Sequence, residues 1–236
     1  MADDYRQATE RLPPAVYDLA MRLGANPALN RSTVRLRQTG QMKDIGATKW
    51  KPFSATQTIA TRTCDSDWRA KFGPLSMIHV RDAVHHGVGH LTVKALGFIP
   101  IVSAPSGREL NRGQLMRYLA ELAWAPDAIL LNTELRWRQD GPDALAVSAG
   151  AGETAAEVTL TLDSQGRIAG GFAAARGRSI TPPYLLTPWR GRFSDYRRHH
   201  DMWLPFAGEI GWEIDGKLDI YFKGHIEQWE AFTDVQ

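Results

Sequence analysis

Two periodicities divide the chain. Val16, Leu19, Ala20 and Leu23 recur at helical spacing, Pro13 and Pro14 suit a first turn, and Gly24 is placed to end it. The preceding residues 3–12 also read as helix, and 25–31 read as linker. From Thr33 the period falls to two, with Val34, Leu36 and Gln38 on one face of a strand. Further strands are predicted over 54–61, 67–72, 77–84, 90–96 and 98–102. Asn111 to Pro126 then stands apart as a helix. Leu115, Leu119 and Leu122 make its apolar stripe, Asn111 and Gln114 have capping-box spacing, and Pro126 stops it. Strand patterns return over 131–137, 144–149, 157–162, 167–175, 189–196, 208–214 and 218–225, with Asp163-Ser164-Gln165-Gly166 and Asp215-Gly216 as hairpin turns.

Some ten to twelve short-connected strands around one helix predict an α+β fold. The expected architecture is a long, curved, mostly antiparallel sheet, an incomplete barrel wrapped around the central helix and a cavity, with N-terminal helices. Residues 1–31 form the N-terminal helical segment, and 32–236 a single curved-sheet ligand-cavity domain.

Composition narrows the chemistry. At 43% hydrophobic and 23% charged the chain is globular, and 28 basic against 26 acidic residues give a balance that argues against a nucleic-acid partner. The single cysteine, Cys64, excludes an intrachain disulfide and a Cys-rich zinc site, and reads as a small strand residue. The acidic, mixed N-terminus does not read as an export signal, and no stretch approaches the ~20 apolar residues of a membrane-spanning helix. The expectation is therefore a cytoplasmic protein without a membrane span. No Gly-x-Ser-x-Gly elbow, phosphate loop or dinucleotide fingerprint occurs, so no cofactor is expected.

Three groups of residues carry candidate chemistry. Arg117 and Glu121 lie one helical turn apart with Tyr118 beside them, either as a surface ion pair or as a charge pair facing the cavity. Asp82, His85, His86 and His90 form the densest titratable cluster. They read as ordinary strand and turn residues, as acid–base groups lining the cavity, or, for Asp82, His86 and His90, as a metal set; no metal is assigned. Arg197-Arg198-His199-His200-Asp201 is a charged turn, read as a solvated loop or as a lid bearing His199 over the cavity. Of the eight tryptophans, Trp50, Trp124, Trp137 and Trp212 are candidates to line an aromatic pocket.

The run Gly113–Pro126 (GQLMRYLAELAWAP), with Trp137, the DSQGRI turn, Pro188-Trp189-Arg190-Gly191, Tyr196, Pro205 and Trp212, resembles an uncharacterised bacterial family marked by an Arg-Tyr-Leu-Ala-Glu helix. Lys51-Pro52-Phe53, Gln57, Asp82, Gly87 and Gly89 fit the same pattern, which spans about Val34 to Trp229. The resemblance implies a sheet similar to the lipoprotein-carrier (LolA-like) fold, an incomplete barrel closed by helices around an apolar cavity, and carries no established activity. His85-His86 and the 197–200 run depart from the pattern.

Two functions follow. One is a cofactor-independent enzyme of lyase, isomerase, hydratase or cyclase type acting on a small apolar or aromatic molecule. In it His86 or His85 is the base, Glu121 and Asp82 are acid or orienting carboxylates, Tyr118 is a donor and Arg117 stabilises an anion. The alternative, implied by the fold resemblance, is a non-catalytic carrier or sensor of a lipid-like ligand. The lack of an export segment favours the first.

Overall fold

The computed structural model describes residues 12–179 and 182–233. The expected helix over 3–12 falls almost wholly outside them. Helix α1 (Pro14–Leu23) is as predicted, with Gly24 in the left-handed conformation closing it. Five hairpin-connected strands and an edge strand follow: β1 (Arg31–Met42), β2 (Lys51–Ala60), β3 (Ser66–Phe72), β4 (Ile78–His85), β5 (Val88–Ala95) and β6 (Ile99–Ala104). Helix α2 (Arg108–Ala120), a 3-10 turn (Glu121–Trp124) and helix α3 (Pro126–Leu131) come next. The chain ends with β7 (Arg136–Gly141), β8 (Ala144–Ala149), β9 (Ala156–Leu162), β10 (Ile168–Gly177), β11 (Leu186–His199), β12 (Met202–Ile214) and β13 (Lys217–Thr233).

The thirteen strands of the described residues form one antiparallel sheet in the order β6-β5-β4-β3-β2-β1-β13-β12-β11-β10-β9-β8-β7. The chain starts mid-sheet, walks to one edge, crosses by α2 and α3 to the other edge, and walks back so that β13 pairs with β1. The two edges are not paired with one another, so the barrel stays open and α2 spans the gap, packing on β4 and β5 from one side and on β8, β9 and β10 from the other. The expected incomplete barrel around a central helix is what the structure shows. Tight coiling is permitted by bulges in β1, β10 and β13. A row of glycines, Gly40, Gly224 and Gly208, also runs across β1, β13 and β12. A Cβ on Gly40 would lie 2.2 Å from the Lys223 carbonyl oxygen and 2.8 Å from the Phe53 ring.

Two expectations are corrected here. Asn111 does not cap the central helix, which begins at Arg108 with Gly107 as its cap. Asn111 lies inside it and its Oδ1 accepts from the Gly89 amide at 2.8 Å, tying the helix to β5. The strand predicted over 131–137 is instead the end of α3 followed by β7, because Pro126 opens a second helix rather than ending the helical region.

The core has two parts. The larger joins α1, α2, α3 and the sheet through Leu19, Leu36, Tyr118, Leu119, Leu122 and Trp189, all at most 2% exposed. The smaller comprises Phe53, Ala55, Trp68, Ala70 and Phe222 and contains no helical residue.

Candidate functional site

What separates the two clusters is a polar seam on the concave face. Strand alternation puts Gln57, Trp68 and Asp82 in one cross-strand row over β2, β3 and β4, with Gln38 of β1 diagonal to Gln57. Helix α2 delivers Arg117 and Glu121 onto this row from above, since i and i+4 share a helix face. Trp68 Nε1 donates to Gln38 Oε1 (2.9 Å), Gln38 Nε2 to Gln57 Oε1 (3.0 Å), and Gln57 Nε2 to Glu121 Oε2 (2.6 Å). Arg117 donates from Nε to Glu121 Oε1 (2.9 Å) and from Nη1 to Asp82 Oδ2 (2.7 Å), while Gln114 donates to Asp82 Oδ1. The guanidinium also stacks 5.0 Å from the Trp68 ring centroid. Burial works against the Arg117 charge, yet the Glu121 and Asp82 carboxylates outweigh it and hold its pKa above the ordinary arginine value. Every carboxylate oxygen of the seam thus has a donor.

Arg117 and Glu121 therefore face the sheet, not solvent. Tyr118 is fully buried on a neighbouring face, donating to the Ala60 carbonyl (2.9 Å) and accepting from Asn132 Nδ2 (2.9 Å). Burial pushes its hydroxyl pKa well up. The histidines lie elsewhere. His85 and His90 are on the outer face, where His85 Nε2 is 3.6 Å from Asp67, and His86 occupies the β4–β5 turn with a positive φ. The sheet itself thus divides the six predicted acid–base residues, and among the described residues no histidine reaches the seam. Nor do three His, Cys, Asp or Glu side chains converge as a metal set among the described residues. Cys64 is buried at the β2–β3 turn rather than in a strand; burial first, then Glu134, pushes its thiol pKa up.

The predicted aromatic residues do not share a pocket. Trp124 is core, its Nε1 donating to the Pro205 carbonyl. Trp212 stacks on Tyr221 (5.9 Å between ring centroids) under the Arg176 guanidinium. Trp137 is half-buried near the β7 edge. Trp50 lies in the β1–β2 loop between Lys43 and Lys223. His199 borders a separate depression with Arg31, Met202 and Trp229.

Sequence reasoning missed the aromatic wall beyond the seam. Phe53 stacks on Phe222 at 5.3 Å and meets Trp68 edge-on at 5.7 Å, with Phe72 at 5.6 Å. Met42, Phe72, Val80, Ile210 and Tyr221 extend this wall and are half-buried. At the same end, the β3–β4 and β5–β6 turns expose Leu75 (96%), Leu96 (55%) and Phe98 (70%), joined by the Leu96 amide donating to the Met77 carbonyl. The available signal was the strict alternation of β2 and β3, which places Phe53, Ala55, Trp68, Ala70 and Phe72 on one face. No helix of the described residues is long and apolar enough to cross a membrane.

Comparison with known proteins agrees with the fold. A DUF1329 family protein from Desulfovibrio piger superposes with a TM-score of 0.53 at 10% identity over 94% of each chain. A LolA superfamily protein from Nitrosomonas europaea matches at 0.49 and 9%, again over 94% of each chain. A domain assigned to outer membrane lipoprotein sorting, from Vibrio parahaemolyticus, gives 0.49 and 9% over 94% of this chain and 95% of that one. The open antiparallel sheet is shared with the DUF1329 family protein, and the expected LolA-like sheet is consistent with these neighbours. The expectation of a cytoplasmic protein does not stand beside these findings: two of the similar structures carry the names of a LolA superfamily protein and of an outer membrane lipoprotein-sorting domain. No curated protein matches the chain. A family model matches residues 10–230, nearly the whole chain, and the protein belongs to that family of unknown function, DUF6920.

Proposed function

We propose that this protein binds a hydrophobic, lipid-like molecule on the concave face of its sheet, as a carrier or sensor rather than as an enzyme. The observation that carries this reading is the aromatic wall of Phe53, Trp68, Phe72 and Phe222, to which no helix residue contributes, at the end of the open barrel that also exposes Leu75, Leu96 and Phe98. Apolar concave surface with a few fixed polar groups at its base suits a water-insoluble ligand, and exposed apolar clusters mark interaction sites. The seam forms that base. Its donors and acceptors are matched to one another, so it closes the base of the site as a structural clamp and offers no free acid or base. The catalytic reading is the weaker one for the same reason, since the histidines it needs lie on the outer face of the sheet or in the β4–β5 turn. The names of the similar solved structures, which include lipoprotein sorting, agree with the binding reading.

The test uses a fatty acid brominated along its chain, whose bromines quench tryptophan fluorescence on contact. The full chain is titrated and compared with Trp68→Phe. Saturable quenching that shrinks markedly in the variant supports the proposal. Equal quenching in both proteins, or none, refutes this placement of the ligand.

A further inference from the structure

The opposite face of the same sheet carries a second recess, of about 660 Å³. We propose that it is a binding trough for a phosphate-bearing anion. The alternation that sends Gln57, Trp68 and Asp82 inward sends Arg69, Lys71, His79, Arg81 and Lys94 outward, and Arg37 of β1 joins them. Register then sets like charges side by side. Arg69 is directly opposite Arg81, and Lys71, His79 and Lys94 form one row across β3, β4 and β5. Arg69 and Arg81 are like charges in direct cross-strand register, which destabilises a sheet unless something negative lies between them, and Lys71 and Lys94 bring two further cations to the same trough.

The chain itself supplies little that is negative. Asp67 holds both guanidiniums, accepting from Arg69 Nη2 and Arg81 Nη2 at 2.8 Å each, so one carboxylate serves two cations. Glu227 at the rim accepts from the Thr39 hydroxyl at 2.6 Å. Among the described residues Arg37 donates to the neutral Gln228 amide oxygen and has no ion-pair partner. Lys71 and Lys94 are exposed and have no ion-pair partner among the described residues. Ser54, Thr56 and Thr92 add hydroxyl donors to the floor. Strand spacing of about 4.8 Å puts Lys71 and Lys94 roughly 10 Å apart at the backbone, within reach of one multiply charged oxyanion by their long stems. A phosphate group, with several acceptor oxygens and up to two charges, fits such a donor set better than a single carboxylate. The ligand differs in kind and place from the apolar molecule of the concave face, with the sheet between them.

The source of the phosphate, a soluble ester or a lipid headgroup, is separated by two probes on the full chain. Inorganic pyrophosphate is titrated by calorimetry at low ionic strength. Flotation is measured with vesicles of phosphatidylcholine alone and of phosphatidylcholine with phosphatidylglycerol. At least one anionic probe is expected to bind, with affinity falling as salt rises and at least tenfold weaker in Lys71→Glu/Lys94→Glu. Both lysines are exposed and without an ion-pair partner among the described residues, so the melting temperature of that variant is expected to stay level; Lys94→Gln is a milder second variant expected to weaken binding in the same direction. Pyrophosphate binding alone assigns a soluble phosphate, and binding to anionic vesicles alone assigns a headgroup. Failure of both probes, equal binding to neutral vesicles, or unchanged affinity in both variants overturns the proposal.

Discussion

Removing Arg117 tests whether the seam is a dry structural clamp. In Arg117→Met the side chain keeps much of its volume, but Glu121 and Asp82, with side chains 4% and 16% exposed, lose their shared cation and keep only the Gln57 and Gln114 amides. Stripping one partner from a buried ion pair costs about 3–5 kcal/mol, and the lost stacking on Trp68 is part of that. For a chain of this length each kcal/mol lowers the melting temperature by about 2–4 °C, so a fall of roughly 10 °C is expected. Urea unfolding followed by tryptophan fluorescence supplies the free energy. Neutralising the partners reverses the effect. Arg117→Met combined with Glu121→Gln and Asp82→Asn is expected to recover most of the loss, since a buried ionic group exchanged as a set for neutral ones is often nearly neutral in stability. A single-mutant cost below about 1 kcal/mol, of the size of a solvated pair, would refute the description of the seam as buried and mutually matched.

Other outcomes are equally specific. Tyr118→Phe leaves the Ala60 carbonyl and the Asn132 amide short of a partner in the core and should cost about 1–3 kcal/mol by urea unfolding. Asp67 opposes its own burial through Arg69 and Arg81, which bring its pKa down to about 2 from 3.8. Its folded value is depressed, so its contribution of about 2 kcal/mol is complete above pH 4 and is lost as pH falls from 3.8 towards 2. Asp67→Asn should therefore be less stable than the parent at pH 7 and equal to it near pH 2. Gly40→Ala drives a methyl group into the Lys223 carbonyl and the Phe53 ring and should cost about 3 kcal/mol or abolish folding, read by thermal melting.

Much of the architecture is legible in the sequence because β1 and β2 alternate and because Asp163–Gly166 and Asp215-Gly216 mark the β9–β10 and β12–β13 hairpins. The strand order follows almost entirely from those short connections, since each strand pairs with its sequence neighbour. The β1–β13 pairing is different in kind: it joins the first strand to the last in the middle of the sheet, a long-range contact that no local pattern encodes. Arg117 and Glu121 were visible as a pair, yet helical spacing is silent on which way a mixed face turns. The deciding partners, Gln57, Gln38 and Asp82, come from strands that β1 to β5 align only after folding. The histidines show the converse: a cluster dense in sequence is dispersed by alternation and by the turn at His86. The aromatic wall went unread because Phe222 of β13 is far in sequence from Phe53 and Trp68 of β2 and β3, and each looks like an ordinary core residue on its own.

The central claim, a hydrophobic ligand on the concave wall, is tested most directly by native mass spectrometry of the full chain incubated with a long-chain fatty acid, alongside Phe72→Glu, which places a charge on that wall. The account predicts a saturable one-to-one adduct on the parent and its loss from a variant that still melts cooperatively. A parent that stays at its bare mass under ligand excess, or a variant that binds as well as the parent, would contradict it.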